Sequence, residues 1–163
     1  MPQPDEYERK GESPRFEERQ MFTLWAYVLI AVAAAGAATA LLAARMEPSG
    51  RVALGAYLLI VALAANLFAM TTLVTGDTLC VTFGWAFPLY RRVIRIADIT
   101  RAEAVTYSPL GEYGGWGIRG MGKNTALNAS GNRGVRLTLR DGRRVLIGSQ
   151  RPDALRYALW AAT

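Results

Sequence analysis

Few residues of this chain have chemistry to offer, and none is spaced for catalysis. The 163 residues include no histidine and a single cysteine, Cys80. Without imidazole there is no Ser-His-Asp or Cys-His nucleophile pair, no nitrogen ligand for zinc or haem iron, and no side chain whose ordinary pKa lies near neutrality. One cysteine cannot close an internal disulfide or build a cysteine-rich metal site. The carboxylates Asp98, Glu103 and Glu112 show no pairing suited to acid–base work. The expectation is a protein that is not an enzyme and carries no cofactor and no metal. Gly115-x-Gly117-x-x-Gly120 matches the dinucleotide fingerprint in letters only. Lys123-Asn-Thr and strand-like sequence follow it, where the fingerprint needs a helix and then an acidic residue about twenty positions on. Six glycines between Gly111 and Gly122 read instead as a turn-rich β segment.

Binding is what remains. Trp85-Ala-Phe87-Pro-Leu-Tyr90-Arg91-Arg92, with Arg95, has the composition of a membrane-interface segment, with rings at headgroup depth and guanidiniums at phosphates. Basic residues near an anionic leaflet contribute about 1 kcal/mol each. The same Trp85 and Phe87 could equally fill a β-core. Residues 75–163 hold thirteen basic and six acidic residues. Arg136, Arg140 and Arg144 recur along one strand pair as a basic stripe. No recognition helix or stacking platform accompanies it, so nucleic acid is not an expected partner.

These residues need elements to position them. Two uncharged stretches, Phe22 to Ala44 and Val52 to Val74, are each 23 residues long. At about 1.5 Å per residue each helix would cover roughly 35 Å, enough for a hydrocarbon core of ~30 Å. Seven residues, Arg45 to Arg51, separate them, with turn chemistry from Pro48 and Gly50. The expectation is therefore an antiparallel two-helix transmembrane hairpin. Lys and Arg counts place both termini in the cytoplasm, and Trp25, Tyr27 and Tyr57 fall near the interfaces. Small residues four apart (Ala33 and Ala37; Gly36, Ala40 and Ala44; Ala65 and Ala69) permit close helix approach. They serve either the hairpin itself or a second membrane protein, to which Asn66 or Thr39 would hydrogen-bond. The tail 1–20, with six acidic and four basic residues and three prolines, is expected to be disordered.

From residue 75 onward short alternating runs predict strands at Thr78–Phe83, Leu89–Ile96, Ile99–Tyr107, Trp116–Arg119 and Thr125–Ala129. Val135 to Leu139 and Arg143 to Ile147 predict a hairpin. A three-residue loop, with Gly142 left-handed, pairs Leu137 with Val145 and Val135 with Ile147. A helix begins at Pro152 and buries Leu155, Ala158, Leu159 and Ala162.

Gly115-Trp-Gly-Ile-Arg119, Gly134-Val-Arg-Leu-Thr-Leu-Arg-Asp-Gly-Arg-Arg-Val-Leu-Ile-Gly148 and Arg151-Pro-Asp-Ala-Leu155 resemble the small bacterial proteins that join a two-helix membrane hairpin to a pleckstrin-homology-like (PH-like) domain. The resemblance covers roughly residues 21–162. It implies a hairpin followed by a small antiparallel β-barrel or sandwich closed by a C-terminal helix, in the bacterial inner membrane with that domain in the cytoplasm. The expected role is a non-enzymatic scaffold or accessory subunit of a larger membrane complex, respiratory or photosynthetic for example. It would contact other membrane proteins through Gly36, Ala40, Asn66, Arg136, Arg140 and Arg144. The alternative is recognition of anionic phospholipid headgroups through Trp85, Phe87, Arg91, Arg92 and Arg95.

Overall fold

A computed structural model describes residues 13–22, 24–43, 47–120 and 122–161. The chain enters as a strand, β1 (Phe16–Met21), leaves it for two helices, α1 (Leu24–Ala43) and α2 (Pro48–Asn66), and returns directly into β2 (Ala69–Thr75). β1 and β2 are antiparallel neighbours, with Met21 opposite Ala69 and Phe16 opposite Val74. The helices are thus an arm inserted between two hydrogen-bonded strands. Phe22 N–H donates to the Phe68 carbonyl at 3.0 Å, and the two rings meet edge to face at 4.9 Å, closing the arm's root.

This corrects the expected fold class, two spanning helices feeding a separate PH-like domain from residue 75. Among the described residues one helix, α2, is long and apolar enough to cross a membrane, and the apolar stretch found in α1 is the shorter Ile30–Ala40. The apolar run Val52 to Val74 is a single stretch in sequence and three elements in space. Helix continues to Asn66, a turn occupies Leu67 and Phe68, and β2 takes the rest. Hydropathy adds up a buried strand and an apolar helix alike, so it cannot see that boundary. The tail expectation is corrected too. Phe16 to Met21 is paired strand, with Phe16, Glu18 and Gln20 buried. Residues 1–12, Ala44 to Met46 and Ala162, together with the side chains of Trp25 and Tyr27, lie outside the described residues.

β3 (Thr78–Phe83) and β4 (Tyr90–Arg95) complete a four-stranded antiparallel sheet in the order β1-β2-β3-β4. A 3-10 turn at Ile96–Asp98 leads into the second sheet, built from β5 (Ile99–Thr106), β6 (Gly117–Arg119), β7 (Asn124–Asn128), β8 (Arg133–Leu139) and β9 (Arg144–Gly148). Its order is β5-β8-β9-β7-β6, with β7 and β9 parallel. Period-2 alternation turns Val81 and Phe83 of the first sheet and Leu137, Val145 and Ile147 of the second into one core. A C-terminal helix, α4 (Pro152–Trp160), lays Leu155, Ala158 and Leu159 over it. Burying each such large side chain is worth roughly 1.5–3 kcal/mol. The β8–β9 hairpin has the expected register, Leu137 opposite Val145 and Val135 opposite Ile147, and Gly142 has φ +79°. The Gly142 N–H donates to the Leu139 carbonyl at 2.9 Å, closing the turn.

A short helix, α3 (Pro109–Tyr113), covers part of the second sheet's outer face, where Tyr107, Ala126 and Leu146 form a small second cluster. Its start is held reciprocally: Gly111 N–H donates to Ser108 Oγ, and Ser108 N–H to Glu112 Oε1.

Candidate functional site

The arm's root is organised by one buried amide. Asn66, the last residue of α2, has a side chain only 6% exposed. Its Oδ1 accepts from the backbone N–H of Trp85 at 3.0 Å and Ala86 at 2.7 Å, and its Nδ2 donates to the Phe87 carbonyl at 2.7 Å. The Trp85 N–H also reaches the Asn66 carbonyl at 2.8 Å. Asn66 therefore folds the β3–β4 loop against the arm, with its Oδ1 and one Nδ2–H engaged within its own chain. Gly84 makes this bend possible, because its φ is +146° and a Cβ there would stand 2.0 Å from the Phe87 carbonyl oxygen.

Held this way, the loop displays its apolar side chains. Trp85 is 64% exposed and Phe87 48%, which decides between the two sequence readings: neither fills the core. With Met21, Ala62 and Ala65 they line an apolar groove of about 570 Å³ on one side of the root. On the other side Phe22, Leu67, Phe68, Leu110, Trp116 and Ile118 line a second of about 650 Å³. The Trp116 ring is fixed by its Nε1–H, which donates to the Gly131 carbonyl at 2.9 Å. The collar continues up the arm, where Val28, Val32, Val52, Leu59 and Ile60 are all more than half exposed. Singly scattered apolar residues are ordinary on a protein surface, whereas these cluster along the arm and around its root.

The arginines named from sequence are not at this collar. β4 runs away from it, from Tyr90 opposite Phe83 to Arg95 opposite Thr78, about 17 Å at 3.4 Å per residue. Arg91 lies on the outer face and its Nε donates to Cys80 Sγ at 3.2 Å. Cys80 is buried, with that guanidinium against its sulfur. Arg95 forms a two-pronged pair with Asp98 at 3.0 and 3.2 Å. The arginines at the collar are Arg19, whose guanidinium donates to the Trp85 carbonyl at 3.3 Å, and Arg119, whose Nε donates to the Trp116 carbonyl at 2.9 Å. Sequence spacing carries no signal for either, since each reaches the collar through tertiary structure.

The basic stripe also divides. Arg136 and Arg144 line one groove on the second sheet's outer face, where Arg136 pairs with Glu112 at 3.2 Å. Arg140 sits past the end of β8, and its Nε donates to the Ala97 carbonyl at 2.7 Å. Gly36 and Ala40 are exposed on α1, whereas Ala37 is buried there and Leu54 on α2. Thr39 spends its hydroxyl on the Ala35 carbonyl of its own helix, at 2.8 Å.

Among the described residues of the glycine-rich segment, nothing prepares a nucleotide site. Strand β6 lies inside the fingerprint, and a Cβ on Gly120 would stand 2.2 Å from the Asn124 carbonyl oxygen, so that glycine serves chain packing. Nearby, burial raises the Tyr107 pKa, partly offset by the hydrogen bond from Asn128 Nδ2 at 3.0 Å. Among the described residues no group of three or more Cys, Asp or Glu is placed to hold a metal ion. Comparison with protein-family models, curated proteins and solved structures finds no match to this chain.

Proposed function

We propose that this protein is a non-enzymatic, membrane-associated scaffold or accessory module. Its arm buries its apolar surface in a bilayer or among the helices of a larger membrane partner, and its β-body is held at the boundary. The supporting observation is the continuity of exposed apolar surface from the arm into a collar that Asn66 fixes in place. Aromatic rings with a polar edge favour such a boundary, because they are half apolar and half wet. The cytoplasmic face of a bacterial inner membrane is the setting that the sequence resemblance suggests. Flotation of the full chain with vesicles tests the reading. Wild-type protein should float, and Leu59→Glu with Ile60→Glu should not; wild-type protein left in the aqueous fraction sinks the proposal. Purification in mild detergent should then recover stoichiometric membrane partners.

A second reading, recognition of anionic lipid headgroups, draws support from Arg19 and Arg119, which are tied to the collar's own backbone. Replacing both with Gln should weaken binding to anionic vesicles while binding to neutral vesicles is kept.

A further inference from the structure

The end of the β-body away from the arm carries a groove of a different kind. It opens where the edge strand β4 meets the β8–β9 turn, has a volume of about 410 Å³, and is lined by Arg92, Arg95, Arg140 and Arg143 with Asp98 and Asp141. Four guanidiniums face two carboxylates, and those carboxylates are taken. Asp98 holds Arg95 at 3.0 Å and Asp141 holds Arg143 at 2.6 Å. Two positive charges are left over.

Both are placed rather than loose. β4 alternates so that Tyr90, Arg92 and Ile94 share its inward side; Ile94 is in the core and Tyr90 packs against it. Arg92 thus occupies a position its strand otherwise gives to apolar residues, partly buried, and among the described residues no carboxylate or carbonyl takes up its guanidinium. Arg140 is anchored through Nε to Ala97, and its backbone N–H donates to the Asp98 carbonyl at 2.9 Å. One of its five guanidinium donors is spent, and the others have no partner among the described residues. A half-buried cation without a counter-ion is costly, and planar guanidinium forks match tetrahedral oxyanions.

We propose that this groove binds a phosphate-bearing anion, with Arg92 and Arg140 as its principal ligands and Arg95 and Arg143 available from their ion pairs. A dianion would neutralise the excess charge, and the volume suits a small phosphorylated molecule. The groove and the arm's root lie at opposite ends of the strands, so a bilayer that receives the arm does not offer its headgroups here. The source is a soluble phosphate compound.

Titration of the full chain in mild detergent with inorganic pyrophosphate, followed by calorimetry, tests this. Saturable binding is expected, and Arg92→Met or Arg140→Met should each weaken it roughly tenfold or more. Asp98→Asn removes a competing carboxylate and should tighten binding severalfold, a gain that misfolding cannot imitate. No saturable binding up to about 10 mM overturns the proposal. So does equal affinity in the arginine variants, including the case in which Arg92→Met merely aggregates more readily because an inward charge no longer guards the edge strand. Vesicles containing phosphatidic acid separate the sources. Unchanged vesicle binding at saturating pyrophosphate supports the soluble ligand, and displacement by pyrophosphate reassigns the groove to a lipid phosphate.

Discussion

At the arm end of the β-body, backbone groups, the Asn66 amide and the guanidiniums of Arg19 and Arg119 are engaged in holding apolar side chains outward. At the turn end charge dominates: arginines and aspartates crowd a groove lined also by Ile94 and Leu139 of the core and by the exposed Val93. Both ends grow from the same strands, because β4 begins beside Trp85 and finishes beside Asp98. The contrast teaches that net charge, +6 over the chain, says little about where a basic protein meets its partners. The apolar end carries the proposed membrane contact and the charged end faces away from it.

Substitutions at five positions would break or sharpen this contrast. Gly84→Val should cost the most, about 3 kcal/mol, because it combines a strained φ with a carbonyl oxygen inside contact distance; the midpoint of denaturant unfolding would report it. Asn66→Leu should cost roughly 1–2 kcal/mol by removing the amide oxygen to which the Trp85 and Ala86 N–H groups donate in part-buried bonds. Hydrogen exchange at the Trp85 and Ala86 amides should accelerate in that variant, and Asn66→Asp, which keeps the acceptor, should lose less. Trp85→Ser with Phe87→Ser should leave folding stability within about 0.5 kcal/mol, because both rings are exposed, yet cut vesicle affinity roughly tenfold. An equal loss of stability and affinity would mean that the collar is structural and not a contact surface.

The smallest effect belongs to the turn end. The Arg143 backbone N–H, donating to Asp141 Oδ1 at 2.9 Å, is the main cause of a lowered Asp141 pKa, and the Arg143 side chain adds to it. A carboxyl lowered on folding contributes stability that is present above its unfolded pKa of 3.8 and is lost as pH falls through the folded value. Wild type should therefore exceed Asp141→Asn by a small constant margin at neutral pH. The margin should vanish only on acidification below the ordinary carboxylate range, as followed by thermal melting.

What could be read in the sequence was the regular part of the β-body. Val135 to Ile147 alternates cleanly and ends in Asp-Gly, so both its strands and its register were legible. The terminal helix announced itself through Pro152 and the spacing of Leu155, Ala158 and Leu159. β1 was hidden because two of its three inward positions are polar. Glu18 is buried beneath the Ser149 hydroxyl at 2.5 Å and the Gln150 N–H at 2.7 Å, and Gln20 Nε2 donates to the Gly148 carbonyl at 2.8 Å. A strand with polar side chains at two of its three inner positions has no hydrophobic period to detect. β2 was hidden for the opposite reason, being as apolar as the helix before it. At the collar, Trp85 and Phe87 were found from composition, whereas Arg19, Trp116 and Ile118 arrive from distant segments through tertiary folding. Arg91, Arg92 and Arg95, adjacent in sequence, are dealt to different faces and ends by the strand's own pleat.

The insertion of the arm between β1 and β2 also sets a timetable for synthesis. Met21 and Ala69 are ladder partners with residues 22–68 between them, so β1 leaves the ribosome without its β2 neighbour until the whole arm has followed it. At 5–20 residues per second that interval is roughly 2–10 s. During it the apolar helices emerge while Glu18 has no shelter, so the sheet can close only after the whole arm has been exposed.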